Sequence, residues 1–240
     1  STAVFEYETW RLAAGLDGDF AGGWTWSLAA TASRQHVAYD KPDVIGSALR
    51  NALNGLGGAG CDAATGSPGV GACQYFNPFG SAYLGTGTAN SAELIDRLTG
   101  STGLRGASSL TTADASTGGQ ALAWAGGRVD VALGAQYRRS AFRHDWSDLV
   151  NAGELLTAGF SPDFEGDQQT LAAFAEARIH LGDRIEAQLA GRYESYDGDQ
   201  GRFSPKAAVR WDVTDALALR ASWGQGFRAP SVYAQSGAQA

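Results

Sequence analysis

Few side chains in this chain of 240 residues are of types that do chemistry, and their spacing excludes most of it. His36, His144 and His180 stand far apart, without the spacing of metal ligands. Neither a His-Glu-x-x-His nor a Gly-x-Ser-x-Gly motif occurs. Gly55-Leu-Gly-Gly-Ala-Gly60 matches the glycine pattern of a dinucleotide loop. That chemistry needs a strand before the loop and a helix after it. Here a helical pattern precedes and Cys61-Asp62 follows, so the segment reads as a flexible loop. Glu93 and Asp96 read as solvated charges on a short helix. Cys61 and Cys73 have no histidine nearby to complete a metal site. No catalytic, metal or cofactor site is expected, and the chain does not read as an enzyme.

What remains is a set of charged residues at two-residue spacing. From Arg184 to Tyr196, Ile185, Ala187, Leu189, Gly191 and Tyr193 alternate with Glu186, Gln188, Arg192 and Glu194. From Lys206 to Val213, Ala207, Val209, Trp211 and Val213 alternate with Lys206, Arg210 and Asp212. From Leu217 to Arg228, Leu217, Leu219, Ala221, Trp223 and Phe227 stand against Arg220, Ser222 and Arg228. This period puts apolar side chains on one face of a strand and charges on the other. The charged face collects Arg11, Arg138, Arg178, Arg192, Lys206, Arg210, Arg220 and Arg228 with Asp130, Glu176, Glu186, Glu194 and Asp212. Such a face can pair across strands, hold water, dock another segment or bind substrate.

The elements that position these charges are strands. Further strand patterns cover 5–17, 24–39, 128–143 and 168–181, with a weaker one over 104–124 interrupted by Gly118-Gly119. Two inserts divide them. The long one, 40–103, holds helical patterns over Val44–Leu56 and Ser91–Leu98. The second helix has Ser91 as N-cap, a Glu93/Arg97 pair and Gly100 just past its end. The other insert is His144–Gly166. Connections near 18–23, 124–128, 182–184 and 213–216 are short; those at 40–103, 144–167 and 197–204 are longer. Short and long therefore alternate, as in an antiparallel up-and-down sheet with turns at one end and loops at the other. At Gly182 a two-residue turn would set apolar residues opposite charged ones. A loop of Gly182-Asp183-Arg184 instead sets Leu181 opposite Ile185, His180 opposite Glu186 and Arg178 opposite Gln188.

Composition bears on which solvent meets the apolar face. The net charge is −7, which excludes a basic nucleic-acid face. Charged residues are 18% and glycines number 33, as suits a turn-rich sheet with little charge. No apolar run reaches the roughly 18 residues of a transmembrane helix, and a transmembrane barrel needs none. Aromatic rings gather at strand ends: Trp24, Trp26, Trp124 and Trp211 near the short turns, Tyr137 and Tyr193 towards the long connections. Eight residue steps between such girdles rise roughly 20 Å, close to the apolar band of about 25 Å in an outer-membrane barrel. The chain opens STAVFEYETW and has no methionine, so it reads as a piece of a longer polypeptide.

The segments GGRVDVALGAQYRR, LAAFAEARIHL, IEAQLAGRYESYD, SPKAAVRWDV and LALRASWGQGFRAPS resemble the barrel of TonB-dependent outer-membrane receptors. GQGFRAPS, from Gly224 to Ser231, is the most specific piece, and CQYFNPFGS, from Cys73 to Ser81, resembles a subset of the family. The resemblance covers nearly the whole chain. It implies an all-β fold: about eight strands of a plugged transmembrane barrel of roughly 22 strands, over residues 1–240, with 40–103 an extracellular loop. It implies a receptor in the outer membrane of a Gram-negative bacterium that captures a scarce siderophore, vitamin or oligosaccharide. Import would use energy from TonB and the inner-membrane motor complex. The plug domain, the segment TonB grips and a last strand ending in an aromatic are not in this sequence. A passive pore or small barrel, and a soluble glycan-binding β-domain, remain open at this point.

An even cysteine count in an oxidising compartment favours a Cys61–Cys73 disulfide. Tyr75, Phe76, Phe79 and Tyr83 are candidates for ligand contact, against packing of the loop on itself. Arg138, Glu176, Arg178, Arg192, Glu194, Arg210 and Arg220 are candidates to face the lumen or a plug.

Overall fold

The structure, a computed structural model, describes residues 2–80, 89–197 and 200–231. In chain order the elements are β1 (Val4–Phe20), β2 (Trp24–Asp40), β3 (Pro42–Val44), α1 (Gly46–Leu53), α2 (Ala92–Leu98), β4 (Thr99–Ser101), β5 (Leu104–Trp124), β6 (Gly127–Trp146), α3 (Asp148–Asn151), β7 (Phe164–Leu181), β8 (Ile185–Tyr196), β9 (Gln200–Thr214) and β10 (Leu217–Gly224). Eight strands form one sheet in the order β1-β2-β5-β6-β7-β8-β9-β10, and β3 pairs with β4 separately. Each long strand lies beside its neighbour in sequence, which is the up-and-down meander the alternating connections require. The sheet is open rather than closed into a barrel.

At Gly182 apolar residues pair with apolar ones and polar with polar. Leu181 pairs with Ile185, His180 with Glu186, Arg178 with Gln188 and Ile179 with Ala187. Gly182 takes φ +61°, the left-handed residue a three-residue loop needs. The same parity runs on through β9 and β10. Leu189 pairs with Ala207, Ile185 with Trp211, and Trp211 with Leu219. One face thus carries Leu171, Ile179, Leu189, Val209, Leu219 and Trp223, all exposed but the half-buried Ile179: Leu189 is 54% exposed and Trp223 59%. A bare apolar surface of this extent suits lipid rather than water.

Several strands differ from the sequence pattern. The connection after β8 spans 197–199, not 197–204, because β9 begins at Gln200. Gly201 and Pro205 hide the alternation there, although both share the face of Phe203. Asp197, at φ 51°, ends the strand, and its carboxylate accepts the Gln169 N–H at 2.8 Å. β10 ends at Gly224, so Arg228 lies outside it. β5 is the longest strand at 21 residues, not a broken one. Its glycines are fitted, not disruptive: a Cβ on Gly119 would stand 2.7 Å from the Trp24 ring, and one on Gly118 3.1 Å from the Val131 carbonyl.

The chain divides into two compact units. One is 9–35, 108–142 and 165–240, the greater part of the sheet; the other is 1–8, 36–107 and 143–164, holding the inserts. The second unit has its own apolar core of Ala52, Leu94 and Leu98, packed by Ala48, Leu49 and Phe76. Ser91 caps α2 as expected, its hydroxyl accepting the Leu94 N–H at 3.2 Å. α1 is shorter than its pattern, since Val44 is drawn into β3 opposite Thr99 and Gly55 turns at φ +81°. Gly100 does not serve as a helix stop. It pairs with Asp43 in β4, where a Cβ would stand within 3 Å of Leu149, Ile45 and Leu155.

The two inserts are one body, which the sequence did not disclose. The Gly46 N–H donates to the Glu154 carbonyl at 2.7 Å, and the Leu156 N–H to the Val44 carbonyl at 2.9 Å. Asp43, buried, lies at this seam. It accepts the Thr157 hydroxyl at 2.6 Å, the Thr157 and Ala158 N–H groups at 3.2 and 3.1 Å, and the Val44 N–H at 2.7 Å. Burial alone would raise its pKa. The hydrogen bonds, led by the Thr157 hydroxyl, outweigh burial and hold it below the ordinary carboxylate value.

Two outcomes follow. Leu189→Arg should cost roughly 2–4 kcal/mol in the membrane, and Gln188→Arg much less. Equal losses in a folding titration would contradict the face assignment. Asp43 has a depressed folded pKa, so its stabilisation is complete above the unfolded value near 3.9 and is lost as pH falls through the lower folded value. The protection of the Thr157 and Ala158 amides against hydrogen exchange, relative to the free-chain rate at the same pH, should therefore fall below about pH 4. Asp43→Asn should lower it already at neutral pH, by the equivalent of roughly 1–3 kcal/mol.

Candidate functional site

Pairing places the charged residues in rows across the polar face. His180, Glu186, Arg210 and Arg220 make one row, neighbour to neighbour. Arg178, Gln188, Ala208 and Ser222 make the next, then Glu176, Ala190, Lys206 and Gly224. Towards the other end of the strands, Glu194 pairs with Arg202. Every charge singled out in the sequence for a lumen or plug lies on this face. Arg192 and Gln136 link β8 to β6 at 2.9 Å, and Gln136 donates onward to Asp114 of β5.

The contacts divide between residues two apart on one strand and residues on different strands. Arg192 meets Glu194 at 2.7 Å, and the Tyr196 hydroxyl donates to Glu194. Gln188 donates to Glu176 at 2.6 Å. Arg178 stands 3.8 Å from Glu186. His180 lies between Asp130 at 3.2 Å and Glu186 at 3.7 Å, with Arg128 on Asp130 at 3.1 Å. Arg210 meets Asp212 at 3.0 Å. The sequence carried a signal for this that went unread. Arg128-x-Asp130, Arg143-x-Asp145, Arg192-x-Glu194 and Arg210-x-Asp212 repeat one spacing, and two residues along a strand share a face. On β6 to β10 the polar face holds Arg128, Arg138, Arg178, Arg192, Arg202, Lys206, Arg210 and Arg220 against Asp130, Glu176, Glu186, Glu194 and Asp212. Sequence patterning also missed Gln168 and Thr170, polar residues of β7 that are buried.

In the insert body the four aromatic candidates part company. The Tyr75 ring lies over two glycines; a Cβ on Gly55 or Gly69 would stand 2.5 or 2.7 Å from it. Phe76 packs against the core of Ala52, Leu94 and Leu98, and its N–H donates to the Ala52 carbonyl at 2.9 Å. Phe79 is 87% exposed. Tyr83 lies outside the described residues. Cys61 and Cys73 are joined as a disulfide with their Cα atoms 4.7 Å apart. Beside it, the Asp62 carboxylate accepts the Thr65 hydroxyl at 2.7 Å and the Ala64 N–H at 2.9 Å, which lowers its pKa. The same unit contains a cleft of about 560 Å³ lined by Tyr39, Trp146, Arg105, Asp40 and Asp145 among others. Tyr39 packs on Phe5, ring centroids 4.6 Å apart. Strand parity names a residue's face but not its neighbour, so this cleft had no sequence signal.

Cys61 and Cys73 should resist thiol labelling until reduced and then react together. Labelling of both in untreated protein, read by mass, would contradict the disulfide.

These features have a counterpart among known proteins. The family model described as TonB dependent receptor-like, beta-barrel, matches residues 1–239. No curated protein matches the chain. The family is one of outer-membrane transport receptors of Gram-negative bacteria, and not of enzymes. With its two-faced antiparallel sheet and its structured loop body, the chain belongs to the TonB-dependent receptor β-barrel family, and its sheet is part of such a barrel.

Proposed function

We propose that this chain is the barrel portion of an active-transport receptor in the outer membrane of a Gram-negative bacterium. It captures a scarce siderophore, vitamin or oligosaccharide from outside. TonB and the inner-membrane motor complex supply the energy. The observation that carries the reading is the pairing of a lipid-suited apolar face with a mixed-charge face of Arg138, Glu176, Arg178, Arg192, Glu194, Arg210 and Arg220. Those charges would border the transport path or dock a plug. The compact body of the two inserts supports ligand capture, since a bare pore has no need of a loop with its own core.

Phe79 and Tyr75 of that body are the proposed ligand contacts, and so is Tyr83, which lies outside the described residues. Phe76 would hold the surface from beneath. Phe79→Ala should lower ligand affinity about tenfold or more, with thermal stability unchanged. Phe76→Ala should loosen the insert body itself. The energy coupling is tested by uptake. Cells should take up a ferric siderophore, a vitamin or an oligosaccharide from a panel only while TonB is present. Uptake that persists without TonB would favour a passive pore instead.

A further inference from the structure

Arg210 and Arg220 are direct cross-strand partners on the polar face. Like charges placed opposite one another repel unless an anion lies between or beside them. Arg210 has one, Asp212, at 3.0 Å. Arg220 has neither a hydrogen bond nor an ion pair among the described residues. The other nearby carboxylate is engaged: Glu186 stands 3.8 Å from Arg178 and 3.7 Å from His180. A cleft of about 360 Å³ opens beside the pair, lined in part by Glu186, Gln188, Arg210, Arg220 and Ser222. Gln188 already donates to Glu176, which leaves the Ser222 hydroxyl as the neutral donor in the cleft. The wider face adds to the field. It holds eight arginines and lysines against five acids on β6 to β10, in a chain whose net charge is −7.

We propose that Arg210, Arg220 and Ser222 form an oxyanion-binding site, near the Asp215-Ala216 turn, that takes the phosphate or carboxylate group of a small molecule. A guanidinium presents a planar fork of N–H donors that matches two oxygens of either group. Arg210 keeps its Nε and Nη2 on Asp212, so the Arg220 fork and the Ser222 hydroxyl supply the free donors, with the outer Nη1 of Arg210 beside them and the engaged Glu186 carboxylate also lining the cleft. The cleft is several times larger than a bare phosphate, so the group would enter as part of a larger solute. The site rests on the polar face bordering the transport path, as proposed above, and not on TonB or on the ligand captured by the loops.

The test uses the protein purified in detergent micelles, titrated with inorganic phosphate and separately with acetate. Ionic strength is held constant with chloride throughout. Saturable binding of one of these probes, followed by calorimetry or by a rise in melting temperature, is the expected result. Arg220→Gln should weaken it at least tenfold. Arg220→Lys keeps the charge but not the fork, and should fall between the two. Arg139→Gln, which breaks a 3.3 Å ion pair to Asp167 away from this row, should leave it unchanged. If phosphate and acetate act no differently from chloride on the wild-type protein, there is no site. If Arg220→Gln, or Arg220→Lys should the first variant not fold, binds as tightly as wild type, the assignment is wrong. The outcome is separate from the uptake test, because binding here is read without transport.

Discussion

Strand parity in lipid is the constraint on which the rest depends. Every backbone donor and acceptor within the hydrocarbon must be paired in the sheet, and every side chain must fall on one of two faces. A slip of one residue would turn Glu186, Arg192 and Glu194 outward together. Each mid-membrane cation alone costs roughly 2–4 kcal/mol, more than a turn preference can offset. The three-residue loop at Gly182 is therefore a consequence of the strands rather than its cause. The same rule orders β8, β9 and β10, where pairing keeps Leu189, Ala207 and Ala221 on one side and Gln188, Ala208 and Ser222 on the other.

Parity was legible because it is local: two residues on, the same face. It failed where glycine or proline replaced the expected side chain. Gly191 and Gly201 leave gaps on the apolar face that rings from the adjoining strand fill. A Cβ on Gly191 would stand 2.7 Å from the Phe203 ring, and one on Gly201 would collide with Tyr193. Gly119 and the Trp24 ring repeat the arrangement in β5. Ring and glycine together complete an apolar surface that neither shows alone. A pattern scored one strand at a time sees only the missing half, which is why β5 looked broken and the start of β9 looked like loop.

The insert body marks the other limit. Ser91 was legible as a cap because the donor it satisfies lies three residues away. Asp43 was not, because Thr157 is 114 residues distant. Nothing periodic marks Asp43: it is one acid in an irregular segment. Its role appears only when β3 and residues 154–158 run side by side. A buried carboxylate that receives this many donors is costly to leave unpaired, so it fixes the approach of the second insert to the first. The candidate ligand surface inherits that dependence. Phe76 is set by the core, Tyr75 by glycines, and Phe79 projects from what those contacts hold.

The charges of the polar face show how local and distant information combine. Arg128, Arg192 and Arg210 each have a carboxylate two residues along their own strand. Such exposed pairs add little stability, about 0–1 kcal/mol each. Their effect is to let β6, β8 and β9 bring part of their own counter-charge, beside the cross-strand pairs Arg178–Glu186 and His180–Asp130. Arg220 breaks that pattern, since the residue two further along is Ser222 and the one two before is Ala218. Its cross-strand partner is another arginine. An exception visible in the spacing becomes a gap in charge pairing once register is known. Neither level of description alone would single it out.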